Sequence, residues 1–357
     1  MAYSTISKPG LHFNTKLYTG NAGTNAITGV GFQPDLIWGK DRGGDRHWWA
    51  DAVRGKNGTG YSLLASNNNE ADTSNYPPDG VTAIGSDGFT LGANSSNSNG
   101  GWSNEINQNS GTYVTWNWKA NGAGSANTSG SVNTAATSAN TTAGFSICKF
   151  SYPGSGNFTI GHGLGVAPDV VILKGLGTAN WQVYTSALGN TYNTQLNYSS
   201  ASSTAANWWG SASPTSTVFT VGADLVESGQ DGIAYCFASK KGFSKFDKYT
   251  GNGNANGTFV YTGFKPAWVM VKGTQNGVNW HMFDNKRTTF NVVNKELYAD
   301  ATSAEATATR MDFVSNGFKL RSSSGSENGS GNTYLYFAFA EEPLVANVGA
   351  SIPATAR

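Results

Sequence analysis

Charge is what this chain has least of. Asp, Glu, Lys and Arg make up 13% of its 357 residues, about half the usual share, and the formal net charge is +1. Such a balance argues against nucleic acid as a partner, because neutralising phosphates takes clustered Lys and Arg. No apolar run approaches the length that spans a bilayer, so membrane insertion is not expected. The opening Met1-Ala2-Tyr3-Ser4-Thr5-Ile6 lacks the basic-then-apolar pattern of a secretory leader, so synthesis as a soluble chain in a cytoplasm is expected. Cysteine is nearly absent: Cys148 and Cys236 are the two copies, which excludes a disulfide framework. They read as two buried free thiols, with a bridge between the strands that carry them as the alternative. Helical signals are almost missing as well. Residues 290–298 could make a turn or two, but Asn and Val weaken them.

What is plentiful is Gly, with 46 copies, and aromatic surface, with 11 Trp, 15 Tyr and 18 Phe. Short strands joined by Gly, Asn and Ser turns have this composition. The decisive pattern is repetition. Gly31-Phe32-Gln33-Pro34-Asp35-Leu36-Ile37-Trp38-Gly39-Lys40 recurs as Gly165-Val166-Ala167-Pro168-Asp169-Val170-Val171-Ile172-Leu173-Lys174. It returns as Gly263-Phe264-Lys265-Pro266-Ala267-Trp268-Val269-Met270-Val271-Lys272. A tryptophan follows each copy (Trp48, Trp181, Trp280), then an aromatic-led strand signal at Phe89, Phe219 and Phe318. Aromatic strands close the copies at Tyr113–Trp118, Tyr235–Phe237 and Tyr334–Phe339. Units in fixed order and near-fixed spacing predict an all-β chain of three tandem, related β-sandwich modules. Their expected limits are 1–119, 144–241 and 242–344. A Gly/Ser/Thr/Asn-rich linker over 120–143 and an extended tail over 345–357 complete the chain.

Catalytic signals are weak. His12, His47, His162 and His281 show no zinc spacing, and His162, in Gly161-His162-Gly163-Leu164-Gly165, reads as a turn histidine because no helix follows to hold a phosphate. Asp41, Asp45 and Asp51 alternate with Arg42, Arg46 and Arg54, which predicts a surface ion-pair cluster rather than a metal loop. Asn67-Asn68-Asn69-Glu70-Ala71-Asp72 keeps calcium as a minor alternative; no other cofactor and no metal ligand is assigned. Glycosidic hydrolysis needs two facing carboxylates, and Glu105, Asp224, Glu227, Glu341 and Glu342 include no slot repeated in all copies. The chain is therefore expected to be no enzyme. The repeated Trp48, Trp181 and Trp280 read as core. Trp208, Trp209, Trp102 and Tyr192 lie among polar residues and are the candidates for an exposed glycan-binding site, where flat rings stack on sugar faces.

Several of these stretches together resemble a family of tailed-bacteriophage virion proteins, frequent in cyanophages and other aquatic phages. They include Met1–Ile6, Tyr18-Thr19-Gly20-Asn21, Asp87-Gly88-Phe89-Thr90-Leu91-Gly92, Tyr113–Ala120, Gly161–Gly165, Tyr261–Lys272 and Tyr334–Glu341. The resemblance covers nearly the whole chain. Members are described as tail-fibre proteins or as proteins with concanavalin-A-like lectin modules, and the resemblance supplies no catalytic or binding residues. It implies a jelly-roll or lectin-like fold at the virion surface, other tail or capsid proteins as partners, and a homo-oligomer. It further implies a tail-fibre or tail-tip appendage that attaches to host surface glycan, with capsid or neck decoration as the alternative. Unlike a long fibre, the chain has no heptad coiled coil.

Overall fold

The computed structural model describes residues 4–72, 80–93, 102–225 and 229–344; the expected tail at 345–357 and Glu227 lie outside them. The described chain is almost entirely antiparallel β, with 46% strand and 3% helix. Among the described residues no helix is long and apolar enough to cross a membrane.

The first third of the chain holds β1 (Phe13–Thr19), β2 (Asn25–Thr28), β3 (Leu36–Asp41), β4 (His47–Asp51), β5 (Lys56–Asn57), β6 (Gly60–Tyr61), β7 (Val81–Gly85) and β8 (Gly88–Leu91). A short helix α1 (Ser103–Asn107) and β9 (Thr112–Trp118) complete it. The middle third holds β10 (Ser125–Asn127), β11 (Thr134–Asn140), β12 (Phe145–Ser151), β13 (Phe158–Gly161), β14 (Val170–Gly175), β15 (Trp181–Thr185), β16 (Tyr192–Gln195), β17 (Ser203–Thr204), β18 (Val218–Val221) and β19 (Asp231–Phe237). The last third holds β20 (Ser244–Thr250), β21 (Phe259–Tyr261), β22 (Phe264–Gly273), β23 (Trp280–Asp284), β24 (Val293–Tyr298), β25 (Ala306–Val314), β26 (Gly317–Leu320) and β27 (Thr333–Pro343).

One pairing order is written three times. The strands run β1-β9-β3-β4, then β12-β19-β14-β15, then β20-β27-β22-β23. A second, smaller pairing also recurs, as β2 with β8, β13 with β18, and β21 with β26. Alternation along the central strands explains the arrangement, since successive side chains point to opposite faces. Leu36 and Trp38, Val170 and Ile172, and Trp268 and Met270 all join one large apolar cluster. Their neighbours go elsewhere: Ile37 to one local cluster, Val171 and Leu173 to a second, Val269 and Val271 to a third. Each large sheet thus backs onto its own small sheet and faces the other two across a shared core.

The shared core closes on itself. Trp118, Phe237 and Phe339 are opposite Leu36, Val170 and Trp268 in the three registers. Their rings meet edge to face in a triangle of 6.2, 6.0 and 5.6 Å, a favoured aromatic geometry. A wholly apolar cavity of about 10 Å³ beside them is too small and too greasy to hold ordered water.

One expectation changes. The stretch 120–143 connects the first two thirds but is not free chain, because β11 pairs with β12 along the sheet edge. Its Thr134, Thr137 and Ser138 are buried, and Gly163, with positive φ, lets Thr137 and Ala139 approach closely. Small polar residues replace the apolar face that normally announces a strand. Cys148 and Cys236 are both buried and both free.

Candidate functional site

The expected aromatic site does not assemble. Trp209 is 2% exposed, packed edge-on against Tyr184 in the middle third's own core, and Trp208 is partly buried beside it. Trp102 is 1% exposed, beneath the Arg46 guanidinium at 4.2 Å. Tyr192 is exposed. The correction has one physical cause: a large ring gains by burial whatever its sequence neighbours, and Trp102 and Trp209 each join their third's local apolar cluster.

Trp48, Trp181 and Trp280 are buried, as core residues should be, but they are not one repeated position. In register with the repeated lysines, Lys40 faces His47, Lys174 faces Trp181 and Lys272 faces Trp280. Trp48 is one residue on, so its ring points to the opposite face and fills the first third's local cluster. His47 is the equivalent residue, and all three make the same bond. Trp181 Nε1 donates to Ala65 O at 2.8 Å, Trp280 Nε1 donates to Gln195 O at 2.9 Å, and His47 Nε2 meets Tyr298 O at 2.8 Å. Each third thereby reaches a carbonyl of another, and the three bonds close a ring. Trp38 Nε1 donates to His47 Nδ1, so Nε2 carries the proton. Burial, then the nearby Lys40 charge, holds this imidazole well below its ordinary pKa.

The lysine that closes each repeat is buried, and its ammonium donates to backbone carbonyls. Lys40 Nζ donates to Asp41, Gly44, Asp45 and Thr302 carbonyls, Lys174 Nζ to those of Gly175 and Gly177, and Lys272 Nζ to those of Ser199, Ser200 and Val278. Burial pulls Lys40 and Lys272 down to about 8, which leaves both protonated near neutrality. Their role is to tie a loop and a neighbouring third together.

A second repeated device joins the thirds. Asp51 Oδ1 accepts the Val53 and Arg54 backbone N–H groups, while its Oδ2 accepts from Tyr235 Oη of the middle third and pairs with Arg54. Asp284 does the same with Lys286, Arg287 and Trp116 Nε1 of the first third. In the middle third the acid becomes Thr185 and the arginine Leu188, and the ring that would reach them is Phe337. So the expected surface ion-pair cluster is a set of separate pairs, some deeply buried: Arg54 meets Asp51 and Asp72, Arg42 meets Glu305, and Arg46 meets Glu105 and Glu70.

Several carboxylates outside these pairs are also engaged. Burial alone would raise Glu296, but hydrogen bonds from His281 and Arg310 hold it at about 2. Arg310 also pairs with buried Glu327, and Glu341 with Lys265. In the loop considered for calcium, Asn67 and Asn68 accept backbone N–H groups while Glu70 and Asp72 pair with arginines. Among the described residues no three His, Cys, Asp or Glu side chains gather as a metal site. His162 caps its own turn, Nδ1 accepting from Leu164 N and Nε2 facing Thr215 O.

A surface cleft opens beside the exposed side chain of Tyr261. It lies between the edges of β20 and β21, has a volume of about 590 Å³, and is lined by Lys241, Lys245, Asp247, Tyr261 and neighbouring Ser, Thr and Gly residues. Tyr261 lines it and is 49% exposed; Phe259, two residues earlier on the same face of β21, is 46% exposed. Neither was singled out from the sequence as a site residue, although Tyr261 opens one of the stretches that carry the family resemblance. Unequal spacing between the small-sheet strands hides the correspondence in the sequence, and the strand pairing reveals both as departures.

A family model for a domain of unknown function, DUF7483, matches residues 8–343. The chain belongs to the DUF7483 family. No curated protein and no solved structure matches it. Every element described above, from the buried lysines to the cleft on β20 and β21, falls within the DUF7483 span.

Proposed function

We propose that the chain is a non-enzymatic structural protein of a tailed-phage particle, made of three β-sandwich modules of jelly-roll, lectin-like form. The thrice-repeated pairing order and the three local cores behind one shared core support this reading. Its task is host attachment from a tail fibre or tail tip, holding surface glycan without cleaving it. One observation carries the proposal: the closed ring of bonds from His47, Trp181 and Trp280. Such a ring makes one stiff body of three units, which suits a part that must hold its shape outside a cell. The virion setting itself rests on the sequence resemblance. Capsid or neck decoration remains a second reading, favoured by the burial of Trp102 and Trp209, which removes two expected aromatic contacts. Partners in both cases are other virion proteins.

Gold-labelled antibody or cryo-electron microscopy of the intact particle tests this. Label at the tail or its tip is the expected result. Label spread over the head would transfer the chain to decoration, and an unlabelled particle would sink both readings.

A further inference from the structure

The three repeats serve as controls for one another at the cleft. On the small sheets Ile27 faces Phe89, Ile160 faces Phe219 and Val260 faces Phe318. These pairs align β2, β13 and β21 residue by residue. Phe259 then corresponds to Ala26 and Thr159, and Tyr261 to Thr28 and Gly161. The fold is satisfied by small residues at both positions, yet the last third places two large rings there, about half exposed. Packing does not account for them.

The space beside them differs in the same way. In the middle third, Ser131 and Val132 lie along β13: Ser131 Oγ accepts from Thr159 N, and Val132 N donates to Thr159 O. There β11 also extends the sheet beyond β12, and the side chains equivalent to Lys245 and Asp247 are the buried Ser146 and Cys148. In the last third the matching space is the open cleft, and its floor carries charge of both signs.

An added strand is one occupant the middle third would recommend, but the β20 edge is already closed to it. Ser244 N donates to Lys240 O, Phe246 N to Ser239 Oγ and Lys248 N to Asp247 Oδ1. Those N–H groups face away from β27 and would have to bind an incoming strand. With them engaged, recognition falls to side chains: Tyr261 and Phe259 offer ring faces, Lys241 and Lys245 donors, and Asp247 an acceptor. Lys245 is held in place, its Nζ donating to Tyr261 O at 2.9 Å and lying 5.8 Å from that ring.

We infer that this cleft is an oligosaccharide-binding site, with the C–H face of a pyranose on Tyr261, a neighbouring residue on Phe259, and hydroxyls bonded to Asp247, Lys241 and Lys245. Rings that are apolar on the face and hydrogen-bonding at the rim match a surface that combines aromatic faces with sparse polar groups. The inference rests on the attachment reading above and gives that reading a place on the molecule.

The test is the full chain on an array of immobilised bacterial surface oligosaccharides, with hits titrated by calorimetry. Phe259→Ala with Tyr261→Thr installs the residues that Ala26 and Thr28 represent in the first third, so the double variant should melt with the parent. Binding to at least one oligosaccharide is expected, weakened about tenfold or more in the double variant and several-fold in Asp247→Asn. Phe290→Ala, at an exposed aromatic outside the cleft, should bind like the parent. Undiminished binding by the double variant would put the sugar elsewhere and overturn the site while sparing attachment. A parent that binds no oligosaccharide overturns the site, and tail labelling of the particle then says whether attachment by another ligand survives. Capture of extended Ser/Thr-rich peptides, with β20 amides gaining protection from exchange, would replace sugar recognition by strand addition.

Discussion

Lys272 is buried among carbonyls rather than carboxylates, and that choice has consequences a surface lysine lacks. Its ammonium satisfies Ser199, Ser200 and Val278 oxygens, two of them from the middle third. Leaving such groups unpaired costs about 1–3 kcal/mol each. Lys272→Met should therefore lower unfolding free energy by at least ~2 kcal/mol in chemical denaturation, and a loss under ~0.5 kcal/mol would show the carbonyls finding water instead. His47 gives a pH signature. Its folded pKa lies below the unfolded value, so the unfolded chain binds more protons once the pH drops beneath about 6.5. His12 and His162 are shifted in the same direction. The histidines' contribution to stability is fully present above that pH and is lost as the pH falls through their folded values. Asp35, Asp41 and Asp300, raised by burial, act with the opposite sign, but only from the carboxylate range upward to their folded values. Melting temperature should thus decline from pH 6.5 towards 5, and His47→Gln should flatten the decline. An unchanged slope in that variant would mean His47 does not titrate on unfolding.

At the scale of elements, the central strands were plain in the sequence and their neighbours less so. Unbroken apolar runs after Pro34, Pro168 and Pro266 became β3, β14 and β22, buried on both faces. β11 was hidden because Thr134-Ala135-Ala136-Thr137-Ser138-Ala139-Asn140 has no large apolar side chain to mark a face. The tryptophan repeat misled by one residue, since spacing cannot tell which face a side chain takes while register can. The aromatic loops misled because exposure is a tertiary property: Trp102 and Trp209 are core, whereas the exposed rings of β21 are unremarkable in composition. The contacts between elements carry a comparison of their own. Asp51, Arg54 and Tyr235 form one set, and Thr185, Leu188 and Phe337 are its apolar counterpart. Asp51→Thr alone strands much of a buried guanidinium and should cost about 3 kcal/mol or more. Adding Arg54→Leu and Tyr235→Phe reproduces the counterpart and should restore a large part of that loss. A triple variant no more stable than the single one would break the equivalence.

The whole molecule should behave as one cooperative unit despite its repeats. Its largest core draws on all three large sheets, and no third can bury its share alone. Calorimetry of the full chain should give one transition whose van't Hoff and calorimetric enthalpies agree. Residues 242–344 expressed alone should show no cooperative melt, because the face bearing Trp268, Trp280, Phe337 and Phe339 would lie open to water. Two resolved transitions in the full chain would instead mean that the thirds hold together only loosely.

A Cβ placed on Gly242 would touch both Ser4 and Pro343, so the two ends of the described chain come together at the join between the middle and last thirds. The linear order of the repeats is then a convention of the gene rather than of the molecule. Bridging Ser4 to Pro343 with a short peptide and opening the chain at the turn around Gly122 should yield a circular permutant with the same ring, beginning at what is now its second repeat.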